Sequence, residues 1–153
     1  MSGFAINGFW LAIASAEHVR RGRMEGIMQV CHGKAAPLRR IRPGDGIVYY
    51  SPTLRMGDRT PYRRLTAIGI IAAGDPYPFD MGNGFHPWRR HVTWMDAHDA
   101  SITPLLPHLS FSAGRRNWGQ SLRYGLIRIQ QHDFACMKHA MHSAQEQLFS
   151  LDV

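Results

Sequence analysis

The chain has 153 residues, of which 44% are hydrophobic and 19% charged, so it can bury one core and is not a disordered chain. No apolar run approaches the ~20 residues that cross a bilayer, and two cysteines, Cys31 and Cys136, make no disulfide framework. The formal net charge is +7 with a pI of about 10.1, which points to a polyanionic partner.

At the N-terminus an apolar run has no Lys or Arg ahead of it, unlike a secretory leader, so it reads as a first strand and the protein as cytoplasmic. Residues 9–14 (FWLAIA) are short, apolar and aromatic, as in a buried strand. Ser15 suits the N-cap of a short helix ended near Gly22, with Glu17 in its first turn and Arg20 and Arg21 in its last, as the helix dipole prefers. Residues 26–30 are extended and deliver a polar turn, Cys31-His32-Gly33-Lys34. Residues 35–41 (AAPLRRI) form a short helix with Pro37 in its first turn and Arg39, Arg40 and Arg42 toward solvent. A Pro43-Gly44-Asp45 turn leads into a strand at 46–51 (GIVYYS), and 52–64 is a basic loop.

The strongest strand is 65–73 (LTAIGIIAA), where Gly69 marks a bulge or a close backbone approach. Residues 75–87 form a long loop with room for one short strand, and 88–95 (WRRHVTWM) a strand led in by arginines. Residues 101–111 are apolar and partly helical, broken at Pro107; 113–119 (AGRRNWG) is a basic-aromatic loop; 124–129 (YGLIRI) closes the strand set. Residues 131–148 make one long helix, with Phe134, Met137, Met141 and Leu148 at helical spacing. Five to six mixed strands, short helices and a C-terminal helix imply an α+β fold, a small curved and partly closed sheet in one domain spanning 1–153.

The Cys31–Lys34 turn admits three chemistries. A metal site needs further ligands at fixed spacing, and the nine histidines form no HxH or HExxH cluster, so no metal or cofactor is expected. A Cys31–His32 nucleophile pair is disfavoured because neighbours in an extended segment face opposite ways. The third chemistry is a binding turn: Gly33 lets backbone approach a ligand, while His32 and Lys34 meet acceptors and Cys31 packs as a small hydrophobe.

Sixteen of the 18 basic residues are arginines, only Lys34 and Lys138 being lysines, and arginine forks match phosphates and stack on flat rings. From Gln130 onward the balance is −2, so the preceding body carries +9. Aromatics lie among these cations: Trp10, Tyr49, Tyr50, Trp88, Trp94 and Trp118. Trp10 and Trp94 fall within strands and read as core, whereas Trp88 beside Arg89-Arg90 and Trp118 beside Arg115-Arg116 read equally as core or as ligand-facing. Stacking plus cations is what a single-stranded nucleic acid requires. The sequence has no Walker-type phosphate loop and no GxSxG, and the GNG at 82–84 lacks a strand–turn–helix setting.

Taken together, FWLAIAS, GIMQVCHGKAAPLRRIRPGDGIVYYSP, LTAIGII, PFDMGNGFHPWRR and the later NWG resemble the EVE domain, a PUA-like family similar to the YTH domain, and within it the stand-alone prokaryotic proteins. The resemblance runs over about residues 9–134, its specific part being the CHGK-to-YYSP block. It implies a PUA-like β-pseudobarrel with helices outside, a pocket for a modified base and basic rims for nucleic acid. By motif position that pocket takes Ser15, Gln29, Cys31, His32, Gly33, Lys34, Tyr50 and Ser51, with Phe85 or Trp88 and Asn117 and Trp118 completing its walls. Arg39, Arg40, Arg89, Arg90, Arg115 and Arg116 are then expected on phosphates. The expected function is non-catalytic reading of a modified base, flipped or single-stranded, in DNA or RNA. Two other readings stay open: a protein or enzyme that takes a nucleoside, nucleotide or acidic metabolite in the same pocket and acts through Cys31, His32 and Lys34, and a partner-binding module of a defence or modification system.

Overall fold

Five strands form where β-branched and aromatic residues concentrate: β1 (Phe9–Ile13), β3 (Gly46–Ser51), β4 (Arg64–Ile71), β6 (Trp88–Trp94) and β8 (Leu126–Ile129). The two-residue strands β2 (Ile27–Met28), β5 (Tyr77–Pro78) and β7 (Ala100–Ser101) pair at their margins. This computed structural model describes residues 8–151, with side chains to residue 143. The N-terminal residues 1–7, the packing expected of Leu148 and the two ends of the expected 1–153 domain lie outside the described residues.

The sheet runs β2-β6-β4-β3-β1-β8, with β5 on β6 and β7 on β4. β1 and β3 pair in parallel, and the other pairings are antiparallel. A parallel neighbour demands a long crossover. Here it contains α1 (Ala16–Glu25), β2, the Cys31–Lys34 turn and α2 (Ala35–Arg40), so the polar turn is held by the topology itself. The architecture is the expected α+β pseudobarrel.

The period of two along the strands sorts side chains into two cores. Trp10, Ala12, Ile47 and Tyr49 face an inner core with Val19 of α1, Met28 and Leu38 of α2. Leu11, Val48 and Tyr50 face an outer core covered by Phe134, Met137 and Met141 of α3 (Gln131–Leu151). Met137 and Met141 are fully buried, each stabilising the docking of α3 by about 1.5–3 kcal/mol. A charge at Met137 would undo it.

The helix over residue 15 runs three residues further than its glycine suggested. Ser15 caps it, its Oγ accepting from His18 N at 3.3 Å, but it ends at Gly26. Gly22 is a packing residue instead, because a Cβ there would lie 2.7 Å from the Ile27 carbonyl oxygen. Gly69 is the close approach: a Cβ would lie 2.6 Å from Thr93 O and 2.9 Å from the Trp94 ring, whereas the register shift falls between Tyr49 and Tyr50. Residues Thr103–His108 and Trp118–Tyr124 form 3-10 helices, so the last strand starts at Leu126, two residues later than its composition implied.

Candidate nucleic-acid interface

β2 and β8 stand at opposite ends of the strand order, and the seam between them is bridged by the polar turn. Cys31 Sγ donates to Tyr124 O at 3.2 Å, and a Cβ on Gly125 would lie 2.8 Å from that sulfur. Gly125 O in turn accepts from Ile13 N at 3.0 Å, and Tyr50 O from Ala14 N at 3.2 Å. The C-terminal ends of β1 and β3, the start of β8 and the turn thus meet at one end of the barrel.

The turn is left-handed, not extended. Cys31, His32 and Gly33 have φ of 52°, 59° and 80° in succession. For the two non-glycine residues this costs about 1–2 kcal/mol each, offset in part by the Gly33 N to Val30 O hydrogen bond of 2.9 Å and by the Cys31 contact. Gly33 does approach something closely, but it is Pro87 rather than a ligand: a Cβ would lie 2.5 Å from Pro87 Cβ. That contact sets the turn against β6 and its Trp88. Burial pushes the Cys31 thiol up, against the weaker downward pull of Arg40 and Lys34, so it is a poor thiolate nucleophile near neutral pH.

Around this seam the exposed groups are His32, Lys34 and Tyr124, with Arg39 lying over the Trp88 ring at 5.2 Å to its centroid. Trp118 is half-buried and meets Tyr50 edge-on at 5.9 Å. Arg40, Arg115, Arg116 and Asn117 face solvent, and Phe85 is exposed near the tip of the hairpin over residues 79–87. Tyr50 itself is buried in the outer core, where it backs Trp118 rather than facing solvent.

Four expected contacts are committed to the frame. Arg90 is 2% exposed and donates to Leu38 O (3.3 Å), Ile41 O (2.6 Å) and Gly74 O (2.8 Å), tying α2 and the 71–75 turn to β6. Arg89 is 5% exposed, pairs with Glu25 at 3.3 Å and stacks over Phe79 at 3.9 Å. Its Nε and Nη2 also reach the Gln29 amide oxygen, at 3.1 and 2.7 Å once that amide is turned to present it, so the buried Gln29 side chain is satisfied internally. Ser51 is fully buried against Thr66 Oγ1 at 2.7 Å. A buried guanidinium surrounded by acceptors is not available to a phosphate, so neither Arg89 nor Arg90 is a backbone contact.

Beneath α1 lies a cluster that the sequence reading passed over. The Tyr49 hydroxyl donates to Gln29 O, its ring lies 6.5 Å from His18 and 5.8 Å from Trp94, and Trp94 rests on Gly69. The Trp94 indole N–H is buried and has no partner among the described residues, a loss of about 1–3 kcal/mol unless something else accepts it. Burial lowers the His18 pKa, with Arg21 and Arg89 adding to the fall and the Gln29 carbonyl opposing it, so the ring is neutral at pH 7. Alternation within GIVYYS carried the signal: Tyr49 shares its face with Ile47, and Tyr50 does not. The cluster offers neutral donors, an acceptor and flat rings, which suit an uncharged planar group; the rim offers cations, which suit phosphates. Among the described residues no three His, Cys, Asp or Glu side chains gather to hold a metal ion, and no helix is long and apolar enough to cross a membrane.

The model of the EVE domain matches residues 8–140. A UPF0310 protein of Mesorhizobium japonicum is 54% identical over 138 residues, covering 89% of this chain and 93% of its own. One of Renibacterium salmoninarum is 46% identical over 138 residues, covering 90% and 98%. Among solved structures, the complex of the YTH domain-containing protein mmi1 with RNA superposes with a TM-score of 0.61 at 8% identity, covering 94% of this chain and 87% of that one. The YTH domain of Zygosaccharomyces rouxii MRB1 in complex with N6-methyladenosine RNA gives 0.59 at 13% identity, covering 93% and 94%. These likenesses establish a shared fold.

Proposed function

We propose, for a chain that belongs to the EVE domain family, that it is a non-catalytic module binding nucleic acid at the Cys31 seam and reading one modified, unpaired base there. The observation that carries this is the rim itself: Arg39 over Trp88, the Gly33 turn set against Pro87, and His32 and Lys34 exposed on a left-handed turn that Cys31 ties to Tyr124 O. Rings stack on bases, and the cations meet phosphates. The neutral His18–Tyr49–Trp94 cluster supplies the selectivity for an uncharged base, the orphan indole N–H being the donor such a base would satisfy. The YTH neighbours solved with RNA, one of them methylated, support the ligand class. A thiol held protonated supports binding over catalysis, and two free cysteines suit the reducing cytoplasm.

The test is fluorescence anisotropy with single-stranded RNA and DNA oligonucleotides, each bearing adenine, N6-methyladenine, cytosine or 5-methylcytosine at one central position. One modified strand should bind tighter than its parent, with log K falling against log salt at a slope of about −2 to −4, as for roughly three to five phosphate contacts. Flat salt dependence together with indifference to every modification would sink the proposal. If a mononucleoside stabilised the protein as fully as the strand, the small-molecule reading would replace it.

A further inference from the structure

We infer that the outer face of α1 is a second docking surface, built for an acidic segment of a partner protein that carries bulky aliphatic side chains. Glu17, Arg20, Arg21 and Met24 recur at the spacing that places them on one side of the helix, opposite the buried Ala16, Val19 and Gly22. With Leu54 and Arg55 of the loop after β3 they line a groove of about 320 Å³. A second hollow continues it past Arg20, Arg23 and Met24.

The far wall is fixed. Thr53 O and Leu54 O accept from Ala16 N (3.0 Å) and Glu17 N (2.9 Å), so the loop takes up the free donors of the first helical turn. Arg55 N and Asp58 Oδ2, at 3.1 Å, close the next turn.

Charge and apolar surface coincide here. Glu17 is shared between Arg21 at 3.4 Å and Arg55 at 3.9 Å, so one carboxylate faces several guanidiniums and the groove stays positive. Arg20 meets Asp99 at 3.6 Å at the groove's side. In the groove Met24 is 88% exposed and Leu54 is also exposed, and Met56, next in the chain to the lining Arg55, is 82% exposed. A nucleic-acid backbone has no use for thioethers, and no aromatic ring lines the groove for a base to stack on. An adaptable methionine and a leucine among arginines are complementary to Leu, Ile or Phe side chains flanked by Asp or Glu. This surface is separate from the Cys31 rim and does not depend on what the rim binds.

The experiment labels the methionine methyls of the 153-residue chain with carbon-13. The probe is a short helical peptide of glutamates with leucines at i and i+4; its control has lysine in place of each glutamate. The Met24 and Met56 methyls should shift saturably with the acidic probe and not with the control, while the buried Met28 and Met137 stay still. The pair Arg20→Glu and Arg55→Glu should weaken binding by about tenfold or more, and Met24→Ala with Met56→Ala by about threefold or more. All four positions are on the surface, so thermal melting should match the parent.

Absence of saturable methyl shifts would overturn the proposal. So would an oligonucleotide that shifts the same methyls and displaces the peptide. A loss confined to the arginine pair would make the face a general anion track, and concentration-dependent self-association moving these methyls would make it a homomeric contact; either replaces the acidic partner.

Discussion

The rim at Cys31–Lys34 and the cluster under α1 lie on adjoining parts of one crossover and are built on opposite terms. The rim carries its charges in water and stores strain in two left-handed non-glycine residues, Cys31 and His32, so its groups are ready for a partner and contribute little to folding. The cluster and the Arg90 tie beside it bury their polar groups and pair most of them internally, Trp94 Nε1 and Arg90 Nε being left without a partner among the described residues. The difference teaches that residues adjacent in a basic-aromatic motif divide between frame and surface: Arg39 stacks outside on Trp88, while Arg90, two positions past Trp88, is sealed within.

The sharpest way to break this contrast is Arg90→Ala. It strands the two buried carbonyls of Leu38 and Ile41 and frees the part-buried one of Gly74, and should cost about 3–5 kcal/mol in denaturant unfolding, while whatever remains folded binds oligonucleotide normally. A variant of parental stability that had lost only its affinity would return Arg90 to the interface. Gly33→Ala comes next. The positive φ and the Pro87 contact should make it cost about 1–3 kcal/mol and also weaken oligonucleotide binding, because the rim is displaced with the turn. Tyr49→Phe removes only the hydroxyl on the Gln29 carbonyl and should lower stability by about 1 kcal/mol, with a change in preference among modified bases larger than its change in salt slope. Arg39→Ala should leave stability within about 0.5 kcal/mol and flatten the salt slope by about 0.7–0.9, one phosphate contact.

The smallest effect is one of pH. The folded His18 pKa lies below its ordinary 6.5, so the unfolded chain binds the extra proton first. The stability from neutral His18 is therefore complete above about pH 6.5 and is lost as pH falls from there toward the folded value. Melting followed from about pH 8 to about pH 5 should show this loss in the parent and a flatter profile in His18→Gln. Equal slopes would place His18 outside the buried cluster.

The fold was largely legible because it rests on local patterns. FWLAIA, GIVYYS, LTAIGII, WRRHVTW and LIRI each became a strand, and Phe134, Met137 and Met141 docked the last helix as their spacing required. The site was legible as a neighbourhood. The Gly33 turn lies against Pro87 and Trp88, and Tyr50 meets Trp118, but the partition of these residues between frame and surface was hidden. Nothing local distinguishes a guanidinium that will find three carbonyls from one that will find water, since Leu38, Ile41 and Gly74 lie far from Arg90 in the chain. Gly33 shows the same limit: its need for positive φ is local, but its neighbour is Pro87.

By itself the amino-acid sequence determined the strand set, the capped first helix, the apolar face of the last one and a positive body rich in arginine and aromatics. Those follow from periodicity, capping and charge, which act over a few residues. Only the tertiary structure decided that the Cys31 turn bridges the seam between the outermost strands, that Arg89 and Arg90 hold the frame while Arg39 stays outside, and that Tyr49 rather than Tyr50 joins His18 and Trp94. Each of these depends on which distant acceptor, ring or backbone the crossover brings alongside, and on whether water is excluded when it arrives.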